Sequence, residues 1–234
     1  MVDPGPAVEA HIRTLLHGLG SAHEVTILLT HHHADHAGAT SELAVRSGAR
    51  VLAPPSYSPP PGEGFEVDYL EEGQRITTDQ GDLEVLRIPG HTSDHVGFHW
   101  RPPDALFVGD LVLGRGHTTW VGEYLGCVQD YLSSLERLLR ISPEVLYPGH
   151  GPAVRSPRST LEMFRSHRLE RLKEVRSARS RYPQAPPADL ATLIYGRAIP
   201  EALLGAAVRS VEASLFHLEQ EAETLEEPPT GGRG

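Results

Sequence analysis

Apolar residues recur along this chain with two different periods, and the changes of period mark out its elements. Val8, Ile12, Leu15, Leu16 and Leu19 fall on one stripe, which predicts a helix over 8–19. Val25 to Thr30 is a short β-branched run with polar flanks, the pattern of a buried strand. Ala34 to Ser47 reads as helical and Gly48 closes it, after which Arg50–Ala53 reads as a strand. Pro54 to Gly64 holds five prolines in eleven residues and is irregular, either a passive surface loop or a lid. Three more strand-like runs follow, at 83–88, 105–108 and 144–147, with a helix over 130–140 that turns Leu132, Leu135, Leu138 and Leu139 inward. Met1 to Gly5 reads as the end of a strand whose beginning is missing, followed by an Asp3-Pro4-Gly5 turn.

Past Pro157 the pattern becomes wholly helical. A long basic helix is expected over 160–180, a Pro-rich linker over 182–188, a short helix over 188–195 closed by Gly196, and a longer one over 200–223. The expected division is a catalytic domain at 1–157, a basic helix with a small helical module at 158–224, and an acidic, Pro/Gly-rich disordered tail at 225–234.

Composition narrows the chemistry. No apolar run approaches the ~20 residues of a membrane span, and no basic-then-apolar leader opens the chain, so a cytoplasmic protein is the default. Cys127 is the only cysteine, which excludes an internal disulfide and a thiolate metal cage. Net charge is −10, which disfavours general nucleic-acid affinity. The charge is uneven, however: Arg155 to Arg181 carries nine Lys/Arg against three Glu, a segment of +6.

Histidine and aspartate collect where strands end. Thr30-His31-His32-His33-Ala34-Asp35-His36 follows the first strand, and the later strand-like runs lead into Pro89-Gly90-His91, Gly109-Asp110 and Pro148-Gly149-His150. Open α/β folds place ligands beyond the carboxyl ends of strands. If the first strand persists to His33, alternation aims His31 and His33 at one point, and the following turn brings Asp35 and His36 to a second. His31, His33 and His91 then form one candidate metal site and Asp35, His36 and His150 another, with Asp110 bridging. Such nitrogen and oxygen donors suit two zinc ions, and iron or manganese could also occupy them. The reaction class is metal-assisted hydrolysis by a metal-bridging hydroxide, with Asp35 and Asp110 as catalytic carboxylates. His32 points the other way and is no ligand, and His95 either supports a ligand from behind or is simply buried.

These ordered motifs resemble those of the metallo-β-lactamase-fold hydrolases, and Asp3-Pro4-Gly5 resembles the Asp-x-Gly motif that opens them. Within that superfamily the chain is most similar to the β-lactamase-like-protein-2 group, which includes endoribonucleases, and more distantly to glyoxalase II. The carrying segments are Pro89-Gly-His-Thr-Ser-Asp-His95, Leu111 to Thr119, Asp130-Tyr-Leu-Ser-Ser-Leu135 and Ser166-His167-Arg168. The resemblance implies an αβ/βα sandwich with a winged-helix-like C-terminal module. It also implies substrate contacts at His117, Thr118, Thr119, Trp120 and Arg168, although its place in a flexible loop favours a solvent-facing His117 over one that reaches the site. The chain departs from the group at its start, at extra residues Trp120–Val128, and in a tail that ends in acid and glycine where a β-wing is expected. Missing outer strands would leave an unpaired edge able to form a homodimer. A small ester or thioester is the leading substrate class. Single-stranded RNA along Arg165, Arg168, Arg171 and Lys173 is the alternative, and structural metals in a non-enzymatic binding module are a third.

Overall fold

Leu28 and its two neighbours Ile27 and Leu29 divide the interior between them, because successive strand residues face opposite sides of a sheet. In the computed structural model, which describes residues 1–20, 22–62, 64–196 and 200–226, they lie in and just after β1 (Thr26–Leu28). Parallel pairing with β2 (Arg50–Ala53) and then β3 (Val67–Tyr69) makes a three-stranded sheet, with Leu28 opposite Leu52. Ile27, Leu29 and Val51 pack outward on Ile12 of α1 (Glu9–Leu19) and Leu43 of α3 (Thr40–Ser47). Leu28 and Leu52 face inward, onto the second sheet.

That sheet has the order β4 (Arg75–Thr78), β5 (Gly81–Arg87), β6 (Val96–Arg101), β7 (Ala105–Gly109), β8 (Val145–Pro148). Neighbours are antiparallel as far as β7, and β8 runs parallel to β7, which requires a crossover. The crossover contains α4 (Cys127–Ile141). Leu83, Val85 and Phe98 meet the first sheet, whereas Leu86, Leu106 and Leu146 meet α4 and α5 (Pro157–Arg181). The result is the expected αβ/βα sandwich. Leu43 and Phe98 are fully buried, and truncating either to alanine would cost about 2–5 kcal/mol.

Several expectations need correction. Sheet pairing in β1 stops at Leu28, and His33 caps the short α2 (Ala34–Ala37) rather than continuing the strand. The single helix expected over 34–47 is two, α2 and α3. The Asp3–Gly5 turn docks at their junction through Gly5 N–H to His36 O (2.8 Å) and Ala39 N–H to Gly5 O (2.8 Å). Upstream of that turn Val2 makes an isolated parallel bridge with Leu28. Strands β3 and β4 are short and half exposed, so they carry little of the alternation that betrays a strand. Helix α4 begins at Cys127, inside the segment the sequence set apart as extra.

Helix α5 buries Leu161, Phe164, Arg168, Leu172 and Val175 on one face. Val175 shares a small core with Leu190 and Ala191 of α6 (Pro187–Tyr195) and Ala207, Val211 and Leu215 of α7 (Glu201–Glu226). Among the described residues no strand follows β8, so α5–α7 show no wing. The tail expected at 225–234 lies outside the described residues beyond Glu226.

Candidate metal centre

Four strand ends deliver the donors. His31 follows β1, and α2 carries Asp35 and His36 one turn later. His91 sits in the loop after β5, Asp110 directly after β7, and His150 directly after β8. Two glycines make room. A side chain at Gly109 (φ 47°) would meet Thr30 Oγ1 and His95 Nε2, and one at Gly149 would meet the His36 ring and Asp110 Oδ1.

Among the described residues the donors gather in four overlapping groups, two of which are the triads named from the sequence and two of which add Asp3 beside His31 and His36, and Glu123 beside His32 and His33. Ligand atoms of His31, His33 and His91 all lie within 4.8 Å of one another, as do those of Asp35, His36 and His150. His33 Nδ1 is 3.0 Å from His91 Nε2. His150 Nε2 is 3.2 Å from His36 Nε2 and 3.1 Å from Asp35 Oδ2. Asp110 stands between the two triads: Oδ1 is 3.3 Å from His36 Nε2, and Oδ2 is 3.6 Å from His150 Nε2 and 3.9 Å from His91 Nε2.

Hydrogen bonds behind the rings fix which nitrogens are bare. A carbonyl only accepts, so His91 Nδ1–H donates to Trp120 O (3.0 Å) and Nε2 keeps its lone pair. A carboxylate likewise only accepts, so His33 Nε2–H donates to Glu123 Oε1 (3.2 Å) and Nδ1 faces His91 Nε2. Thr30 Oγ1–H donates to Asp3 Oδ2 (2.6 Å) and accepts from His31 Nδ1–H (3.0 Å). His31 Nε2 is therefore an acceptor, and it is buried with no hydrogen-bond partner. His36 Nδ1–H donates to the same Asp3 Oδ2 (3.0 Å), and Asp3 Oδ1 accepts Thr30 N–H (2.7 Å). One carboxylate thus orients a histidine in each triad.

A buried acceptor without a partner costs about 1–3 kcal/mol. A cation touching His31 Nε2 would remove that cost. Imidazole nitrogens and carboxylate oxygens at this spacing form the donor set that zinc and iron accept, so the residues fit divalent metal.

Electrostatics agree with the geometry. Burial and the neighbouring His95 ring hold His31 far below the ordinary histidine range, so it is neutral. Burial also lowers His91, although the Trp120 carbonyl opposes it. Burial acts to lower His36 too, but Asp110 and Asp3 outweigh it and raise that ring to about 10. Burial acts to raise Asp110, yet the hydrogen bond and charge of His36 hold its carboxyl below the usual range, and it stays ionised.

The remaining sequence candidates separate. Trp120 is half-buried, with its ring centroid 6.1 Å from His91 and 6.4 Å from His33. Thr119 is buried and Thr118 exposed, and His117 stacks edge-on with His167 at 4.7 Å. Arg168 is 3% exposed and donates to Thr119 O (3.3 Å), so it presents no surface to a substrate or a phosphate track. His32 belongs to neither triad: its Nδ1 is 3.0 Å from Ser56 Oγ, and its Nε2 lies 3.6 Å from Glu123 Oε1, beside His33. His95 is fully buried behind the site, where its Nε2 accepts Asp110 N–H (3.2 Å).

Asp3, Thr30 and Glu123 were not among the predicted site residues. Asp3 read as a turn former. Glu123 gave no signal, because its target lies 90 residues away.

The profile of the Metallo-beta-lactamase superfamily matches residues 1–150. A Drosophila melanogaster protein named "Beta-lactamase-like protein 2 homolog" is 29% identical over 209 residues, covering 85% of this chain and 69% of that protein. "Thioesterase pkgB" of Emericella nidulans is 33% identical over 150 residues, 63% of this chain but only 41% of that protein. A beta-lactamase domain protein from Burkholderia ambifaria superposes with a TM-score of 0.81 at 24% identity, covering 95% of this chain and 77% of that one. At that identity the likeness speaks to the fold alone.

Proposed function

The chain belongs to the metallo-beta-lactamase superfamily, and on that premise we propose that it is a dinuclear metal-dependent hydrolase of a small ester or thioester. The observation that carries this reading is the buried, unpartnered His31 Nε2, which converges with ring nitrogens of His33 and His91. In it His31, His33 and His91 hold one divalent cation, Asp35, His36 and His150 hold the other, and Asp110 lies between them. When bound, such a pair supplies Lewis acidity and lowers the pKa of water to about 7, with zinc the first candidate and iron or manganese able to take the same donors.

The chain's own residues do the rest. Ionised Asp110 offsets positive charge at the centre of the site. Asp35 is the exposed carboxylate of the set, placed to orient a water and take its proton. Trp120 O, Glu123 and Asp3 keep the rings from turning, which preserves the angle of attack.

Two facts favour a small substrate. Four cations of α5 are occupied by carboxylates: Arg165 pairs with Glu136, Lys173 with Glu170, Arg176 with Glu221, and Arg171 with Glu174. A relative that shares the catalytic part of the chain is named a thioesterase. Single-stranded RNA has less support, because the arginines expected to follow phosphates are paired or, for Arg168, buried.

The test is a panel on metal-reconstituted protein: a glutathione thioester, an aryl ester, a bis-phosphodiester and a labelled single-stranded RNA. Ester or thioester turnover that a chelator removes supports the proposal. Efficient RNA cleavage with negligible ester turnover overturns it.

A further inference from the structure

Arg209 on α7 is exposed, and its guanidinium lies over the Trp120 ring at 5.1 Å from the centroid. It differs from Arg165, Arg171, Lys173 and Arg176 of α5, which are ion-paired. Among the described residues no carboxylate lies within ion-pair distance of it, in a chain with ten more acidic than basic side chains. Its position is held from two sides. Trp120 Nε1–H donates to Ala206 O on the same helix (3.2 Å). Two residues further on, a side chain at Gly122 would run into the backbone of Ser210, so the segment after Trp120 lies directly on α7. The indole meets Arg209 while its ring centre is 6.1 Å from His91 and 6.4 Å from His33. A cation with no carboxylate partner therefore stands one indole away from the three-histidine group.

We infer that Arg209 and Trp120 form a subsite for an anionic group, so that the preferred ester or thioester carries a carboxylate or a phosphate on the arm away from the scissile bond. Arginine binds such oxygens in a fork. The indole attracts the guanidinium and favours its position over the ring. The flat ring also supplies an apolar wall for the methylenes that join the anion to the acyl carbon. This inference rests on the hydrolase reading for its substrate, though not for its anion site.

Two measurements test it. The first compares p-nitrophenyl valerate with mono-p-nitrophenyl glutarate, which share a leaving group and a chain of matched length and differ in the terminal carboxylate. Wild type should favour the glutarate by tenfold or more in kcat/KM. Arg209→Gln should erase most of that ratio through KM, and Arg209→Lys should restore part of it. The second follows Trp120 fluorescence in a Trp100→Phe background while glutarate or inorganic phosphate is added. Saturable quenching, lost in Arg209→Gln, supports the subsite, and the stronger of the two anions identifies the group it takes. Quenching without hydrolysis of either ester would leave the anion site standing while the proposed function fails. Ester hydrolysis with no preference for the glutarate, or a preference that survives Arg209→Gln, overturns the inference.

Discussion

Asp3 Oδ2 lies 3.0 Å from His36 Nδ1, across 33 residues of chain. The same oxygen accepts the Thr30 hydroxyl that orients His31, so the turn at the start of the chain supports both donor groups. Asp3→Asn should weaken binding of both metals, by about 10–100-fold for the loss of a partner behind a ligand. Competition with a chromophoric chelator measures it. Unchanged affinity at both sites would show that the rings hold themselves.

Glu123→Gln should act on one group alone. It leaves His33 a weaker acceptor, so the cation at the three-histidine group should bind about 10–100-fold less tightly. The second cation should be unaffected. Stepwise metal titration by calorimetry separates the two.

Asp110→Ala removes the carboxylate placed between the groups. Purified wild type should carry close to two metals per chain by elemental analysis. The variant should lose most of one metal and nearly all turnover. His32→Ala should change neither, since His32 belongs to neither triad. An active Asp110→Ala would refute the assignment.

Proton release on metal loading follows from His36. Its pKa in the folded, metal-free chain is raised to about 10, above the ~6.5 of an unperturbed histidine. The stability it contributes is fully present below about 6.5 and is lost as pH rises through about 10. Metal at His36 Nε2 competes with that proton. Loading at neutral pH should release a proton, and affinity should rise with pH. Metal titrations in buffers of different ionisation enthalpy count the protons released, and a count of zero would contradict the raised value.

Neutralising Arg165 and Lys173 together should leave ester turnover within about twofold, because solvent-facing ion pairs such as theirs are worth about 0–1 kcal/mol each. Were RNA the substrate, the same variant would weaken RNA binding and flatten its salt dependence, by about 0.7 in slope for each phosphate no longer neutralised. Filter binding at several salt concentrations tells the two apart.

The sequence displayed the layers and the donors for different physical reasons. Leu28 and Leu52 obey strand alternation, and the buried stripe of α4 obeys helical spacing, so periodicity finds them. His91, Asp110 and His150 stand out because each follows a strand-like run and a glycine. The grounds given for His31 and His33 sharing a point were nevertheless mistaken. The strand ends before them, and they meet because His33 caps a helix. Glu123 and Arg209 were invisible for one reason: each acts on a residue far along the chain, and neither sits in a repeating pattern. Arg168 was misplaced because charge alone suggested solvent, whereas its spacing from Phe164 and Leu172 already put it on the buried face of α5.

The indole of Trp120 donates to α7 at Ala206, and its own carbonyl holds His91. Two hydrogen bonds therefore connect the last helix to a metal-ligand candidate. A chimera that borrows its C-terminal helices from a relative would inherit more than a new substrate wall: it would also reset the grip on the first cation. In this architecture, changes of specificity and changes of metal affinity are inherited together.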